Sequence, residues 1–180
     1  MKLVIDPGHG GHAPGVVVKD STGRVVLKES DANLATALTL KWVLVNEMAA
    51  PFEVVLTRST DEFVPLHRRA VMTGDLMVSL HYDIPNGGAP IYYQRRCGVS
   101  AYVAYRANVL TGWRKPVWST YEAVHTGRRL YIDDAKHPAI LVEVDTIDKY
   151  VDSKEYRLSK MRPLAKSIID IMNEFKSGLL

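Results

Sequence analysis

The chain has 180 residues, 47% of them hydrophobic and 24% charged, with a formal net charge of +3 and a sequence pI near 8.9. That is enough chain for one domain with its own core, and the balance is that of an ordinary globular protein. The mild basicity, with no dense Lys/Arg run, excludes a nucleic-acid binder, no apolar run approaches the roughly 18 residues of a membrane span, and the single cysteine, Cys97, excludes an intrachain disulfide and a Cys-rich metal site.

The N-terminus leads directly into a buried strand, Leu3 to Ile5, so no secretion signal is expected there. Asp6-Pro7-Gly8 stops the strand abruptly, and His9 follows with Gly10 and Gly11 behind it. Residues 12–30 read as a loop with a hairpin, its apolar runs Val16–Val18 and Val25–Leu27 separated by Ser21-Thr22-Gly23. Leu34, Ala37, Leu38, Lys41, Trp42 and Val45 recur at helical spacing, which predicts a helix over 31–49, capped by Ser30 or Asp31, with Glu29 just before it. Pro51 ends that helix and Phe52–Arg58 forms the second strand, so the strand–helix–strand order implies a parallel crossover. Pro65 opens a short helix over Leu66–Thr73, and Leu76–Leu80 is a third apolar strand that ends on His81.

Ile91–Tyr93 is a further strand and Ser100–Leu110 a helix. Gly112–Arg128 reads as irregular or partly helical surface, and Arg129–Ile132 as a short strand. Ala139–Val144 is strongly apolar, with Glu143 near its end. The tail from Ser159 has helical spacing, and Pro163 is tolerable only in its first turn. Together these elements predict a single α/β domain over 1–180, a twisted and mostly parallel (mixed) sheet of about six strands flanked by helices, with no linker or separate wall-binding domain.

Of six histidines, His9 and His81 directly follow apolar strands. Ligands in open α/β sheets bind at that carboxyl edge. Glu29 can add a carboxylate from the connection between them, and two His with one Glu leave an open position on tetrahedral zinc, as catalytic sites require. A carboxylate at position 143 is expensive to bury unpaired, and a place at the same edge beside a cation accounts for it as the proton carrier of a hydrolysis. His12, His67, His125 and His137 read as structural or solvent-facing, with His12 and His125 able to line the cleft. Arg58 and Arg69 read as ion-pair partners.

The ordered set Asp6-Pro-Gly-His-Gly-Gly11, Glu29-Ser-Asp-Ala-Asn-Leu34, Val55-Leu-Thr-Arg58, Ser79-Leu-His81 and Pro138-Ala-Ile-Leu-Val-Glu-Val144 resembles the zinc-dependent N-acetylmuramoyl-L-alanine amidases of the Amidase_3 type, across nearly the whole chain. The resemblance implies one Zn2+ per chain on His9, Glu29 and His81, with Glu143 catalytic. It implies peptidoglycan as partner and cleavage of the amide between N-acetylmuramic acid and L-alanine. Two flanks depart from the family: Tyr82-Asp83 where a small residue and Asn are usual, and Val144-Asp145-Thr146 where Val-Gly-Phe is usual. They leave open a zinc hydrolase of the same fold acting on a small N-acyl amino acid or peptide. A non-catalytic wall-binding module is the other alternative.

Candidate substrate contacts are Tyr82, Asp83, His12, Trp113 and Trp118, with Tyr82 and the two tryptophans otherwise read as packing residues. Gly10 and Gly11 are expected to leave room beside the metal. With no regulatory helix over the site, the expectation is a monomeric, open catalytic domain of phage or prophage endolysin type, without membrane insertion. It would reach the wall by holin-type release, or by secretion if a signal has been removed.

Overall fold

The structure is a computed structural model that describes residues 1–125 and 130–179. Six strands form one mixed sheet: β1 (Lys2–Pro7), β4 (Glu53–Leu56), β5 (Leu76–Asp83), β6 (Ile91–Tyr93), β7 (Val117–Ser119) and β8 (Ala139–Thr146). Their order is β4-β1-β5-β8-β6-β7. The first four run parallel, β6 is antiparallel to β8, and β7 is parallel to β6. A separate hairpin pairs β2 (Val17–Lys19) with β3 (Val25–Lys28), as the two apolar runs predict.

β1, β5 and β8 are central because their side chains are apolar on both faces. Leu3, Val4, Ile5, Met77, Val78, Leu80 and Val142 are all inaccessible. Burying such a side chain contributes about 1.5–3 kcal/mol. One face is covered by α1 (Glu29–Trp42), α3 (Gly98–Thr111) and α5 (Lys154–Lys176), which meet Leu3, Ile5, Val78, Leu80, Ile140 and Val142. The other is covered by α2 (Leu66–Ala70) and a 3-10 turn, Tyr131–Asp134, which meet Val4, Met77, Ala139 and Leu141. This is the mixed α/β architecture expected, with the β1–α1–β4 crossover in place.

Several local expectations need correction. The first helix begins at Glu29 with no capping side chain from Ser30 or Asp31; Glu29 N–H and Ser30 N–H donate instead to Val16 O and Pro14 O. It stops being α-helical at Trp42 and continues as a π-turn, Val43–Glu47, closed by Met48 N–H on Val43 O. The helix over 66–73 is shorter, Leu66–Ala70. Within Gly112–Arg128 lie β7 and α4 (Thr120–His125), while residues 126–129 fall outside the described residues. Tyr131-Ile132 is 3-10 rather than strand, because the Asp133 carboxylate of that turn is held by Arg95 and Thr120. The last helix starts at Lys154 because Ser153 Oγ accepts from Tyr156 N–H, so Pro163 lies well inside it. An internal proline costs about 3 kcal/mol. Burial of Met161, Leu164, Ile168, Ile171 and Met172 offsets that cost.

Candidate metal centre

Three strand ends and one helix start meet at the carboxyl edge of the sheet. β1 delivers His9, β5 delivers His81, β8 delivers Glu143, and α1 opens on Glu29. His9 takes a left-handed backbone, φ 60°, which a non-glycine residue adopts only when its surroundings hold it there. Two buried arginines supply that hold. Arg58 donates from Nε to Pro7 O (3.0 Å) and from Nη2 to Gly8 O (2.9 Å) and Ser30 O (2.8 Å). Arg69 donates to Pro7 O (2.7 Å) and His9 O (2.6 Å) and pairs with the Asp6 carboxylate at 2.8 Å. Asn33 on α1 adds a bond to Gly8 O at 3.1 Å. Arg69 is therefore the ion-pair partner expected, whereas Arg58 is a clamp on carbonyls.

Glu29 is buried, with its Oε1 2.9 Å from His81 Nδ1 and its Oε2 3.2 Å from His9 Nε2. Val16 N–H donates to Oε2 at 2.9 Å and Asn33 Nδ2 to Oε1 at 3.3 Å. Burial works to raise the Glu29 carboxyl, but hydrogen bonds and charge from His81 and His9 overcome it and hold the group far below the usual carboxylate range. Its place in the first turn of α1 also favours the anion. The two imidazoles stand edge to face, 5.0 Å between centroids.

One donor atom from each of His9, Glu29 and His81 lies within 4.8 Å of the others. His81 Nε2 is buried with no hydrogen-bond partner among the described residues. Two glycines make the space. A Cβ on Gly8 would sit 2.2 Å from His81 Cε1, and one on Gly15 would sit 2.4 Å from Glu29 Oε2. Gly10 and Gly11 do not serve this purpose: their missing Cβ atoms face the backbone of Glu62 and Phe63. The chemistry of the donor set and its spacing fit a metal site of two histidines and one glutamate.

Asp6 lies beneath the centre, fully buried. Arg69, Ser79 Oγ, Thr57 Oγ1 and Tyr131 Oη all donate to it. Burial works against its charge, but Arg69, Thr57 and Tyr131 hold its carboxyl below the ordinary value. Glu143 stands next to His81 in the β5–β8 register, its N–H on Pro90 O at 3.0 Å. A cavity of about 520 Å³ opens over these groups, lined by His9, Glu29, His81 and Glu143 together with Phe63, Tyr131 and Leu141.

The other substrate-contact candidates are not brought together. The Tyr82 ring points into the core, its phenol 3.0 Å from Thr36 Oγ1, because it alternates with His81 along β5. The Asp83 carboxylate borders the cavity but accepts from Ile84 and Ala89 N–H, which fixes the following loop. His12 stacks on Phe63 at 4.0 Å, at the rim. Trp113 packs against the main core and Trp118 sits on the edge strand against Tyr92, both away from the cavity lining. The His125 side chain lies outside the described residues. His137 is structural, its Nε2 2.7 Å from Met72 O. Sequence reasoning missed the carbonyl-clamping role of Arg58, the roles of Gly8 and Gly15, and Asn33. The signal for Arg58 was its place at the end of a strand parallel to β1, where its side chain can reach the chain leaving β1.

Residues 3–174 match the family model described as N-acetylmuramoyl-L-alanine amidase. The chain is 27% identical over 164 residues to the sporulation-specific N-acetylmuramoyl-L-alanine amidase of Bacillus subtilis (strain 168), covering 88% of this chain and 61% of that protein. It is 28% identical over 179 residues to N-acetylmuramoyl-L-alanine amidase AmiA of Escherichia coli (strain K12), covering 91% of this chain and 55% of that one. It thus spans only a little over half the length of these relatives. The fold is that of the crystal structure of N-acetylmuramoyl-L-alanine amidase from Clostridium difficile 630, with a TM-score of 0.77, 20% identity and 96% of each chain covered. Among the described residues no helix is long and apolar enough to cross a membrane.

Proposed function

Because the chain belongs to the Amidase_3 family of N-acetylmuramoyl-L-alanine amidases, we propose that it hydrolyses the amide between N-acetylmuramic acid and the first L-alanine of peptidoglycan, with one zinc ion held by His9, Glu29 and His81. The observation that carries this reading is the convergence of those three donors within 4.8 Å, in a cavity that also admits Glu143. Zinc, if held there, would supply a Lewis acid for the amide carbonyl and for the attacking water.

The chain's own groups do the rest. Glu29 offsets the metal's charge and keeps both imidazoles turned inward. Arg58 and Arg69 fix the His9 backbone so that its Nε2 does not drift. Glu143 takes a proton from the attacking water on its carboxylate. It then delivers that proton to the nitrogen of the departing L-alanine as the C–N bond breaks. Water's oxygen ends on the lactyl carboxyl and its protons on the new amine and carboxyl groups.

The test is digestion of purified sacculi followed by mass spectrometry of the soluble products. Peptides with a free N-terminal L-alanine are expected. Soluble fragments that still join muramic acid to alanine would overturn the reading.

A further inference from the structure

Asp145, near the end of β8, has a definite set of partners. Lys160 Nζ of α5 lies 2.7 Å from Asp145 Oδ2, and Lys149 Nζ lies 3.9 Å from Oδ1. A third lysine, Lys115, lies at the same end of the sheet, where burial holds its ammonium below the ordinary value against the pull of the Asp145 carboxylate.

Lys115 is built in rather than trailing on the surface. Asn108 clamps its backbone from both sides, accepting from Lys115 N–H at 2.8 Å and donating to Lys115 O at 2.8 Å. Its ammonium lies 5.3 Å from the centroid of the Trp113 ring. Among the described residues no carboxylate comes within ion-pair distance of it. The sheet register puts it at the catalytic edge. Ile91 pairs with Val142 of β8 and with Val117 of β7, and Ile91 N–H donates to Pro116 O. Lys115 therefore precedes β7 on the side where β8 ends, two strand spacings from Glu143 and roughly 10 Å across.

The direction of the substrate follows from the proton path. If Glu143 protonates the departing amine, the peptide leaves past Glu143, away from His9 and His81 and toward β6 and β7. Three ammonium groups against two carboxylates, Asp145 and Glu143, leave excess positive charge on that route. Without the Asp145 carboxylate, Lys149 and Lys160 would have no shared anion to hold them.

We propose that Lys115, with the Asp145-held pair Lys149 and Lys160, forms a carboxylate-binding subsite on the peptide side of the scissile amide. The chain thereby selects stem peptides with a free carboxylate close to that amide over those in which the group is a carboxamide. This rests on the amidase reading above. Trp113, expected as a candidate substrate contact, instead backs the Lys115 ammonium.

The experiment compares two soluble N-acetylmuramoyl peptides that differ only in an α-carboxylate or α-carboxamide on the second residue, cleaved by the zinc-loaded full chain. The expected preference in kcat/KM is about tenfold for the carboxylate, the worth of one charge-assisted contact. K115M and the double variant K149M/K160M bring the ratio toward one, and K115R keeps it. A merely structural lesion would lower both rates together and leave the ratio unchanged. Equal cleavage by the wild type, or a ratio untouched by every lysine variant, would overturn the subsite alone. Cleavage of neither substrate would overturn the amidase reading and this proposal with it.

Discussion

His81 and Glu143 stand side by side in register on adjacent parallel strands, β5 and β8. A candidate metal ligand and a candidate proton carrier are thus fixed to one another by backbone ladder bonds rather than by loops. The pairing separates their roles in a way mutation can read. Glu143 is outside the ligand cluster, so E143A should keep its zinc and lose turnover by roughly 10²- to 10⁴-fold. Metal content by mass spectrometry and hydrolysis of wall suspensions measure the two independently. Loss of zinc in E143A would move Glu143 into the ligand set.

Zinc should bind the folded chain and so stabilise it. At a free concentration about 100 times Kd the gain is about 2.7 kcal/mol, which for a domain of this size raises Tm by roughly 5–10 °C. Differential scanning fluorimetry with chelator and then added zinc should show the rise, and H9A and H81A should abolish it. An unchanged Tm in the wild type would count against a structural grip on the ion.

Gly8 and Gly15 should behave unlike glycines elsewhere. G8A places a methyl against the His81 ring, so zinc affinity should fall about 10- to 100-fold, the usual effect of disturbing a ligand's support. Gly98, at the start of α3, has nothing within 4 Å of an added Cβ. G98A should leave affinity unchanged, and titration calorimetry checks both.

Asp6 makes stability depend on acid. Its folded carboxyl lies below the ordinary value, so its contribution is fully present above the unfolded value of 3.8 and is lost as pH falls through the folded value. Urea unfolding should find D6N less stable than wild type from neutral pH down to about pH 4, with the gap closing in stronger acid. R69M should cost about 3–5 kcal/mol at neutral pH, because it leaves that carboxylate buried without its cation. A gap between wild type and D6N that persisted in strong acid would show that the cost is packing, not charge.

How far the sequence could be read depended on how a residue's neighbours are arranged. β1, β5 and β8 were legible because both faces are buried and their runs are apolar almost throughout, Ser79 being the one polar residue within Leu76–Leu80. His9 and His81 were legible because each run stops on them. β7 was not, since a three-residue edge strand carries no periodicity and its pairing with Ile91–Tyr93 is non-local. The start of α5 was missed because Ser153 caps it ahead of the apolar stripe. Tyr82 and Asp83 invited a reading as substrate contacts because they follow His81, but strand alternation turns Tyr82 into the core and loop closure occupies Asp83. Arg58 looked like any charged residue at a strand end, and only the fold brings the carbonyls of Pro7 and Gly8 to it.

The sheet's outer strands have a consequence of their own. β4 is four residues long, preceded by Pro51 and opening on an exposed Glu53, and β7 is three residues long, preceded by Pro116. Short margins that begin beside a proline offer little unpaired backbone for a second chain to extend. The long apolar strands of this sheet, β1, β5 and β8, are all interior, so the six-stranded sheet offers neighbouring copies few open ladder bonds to share.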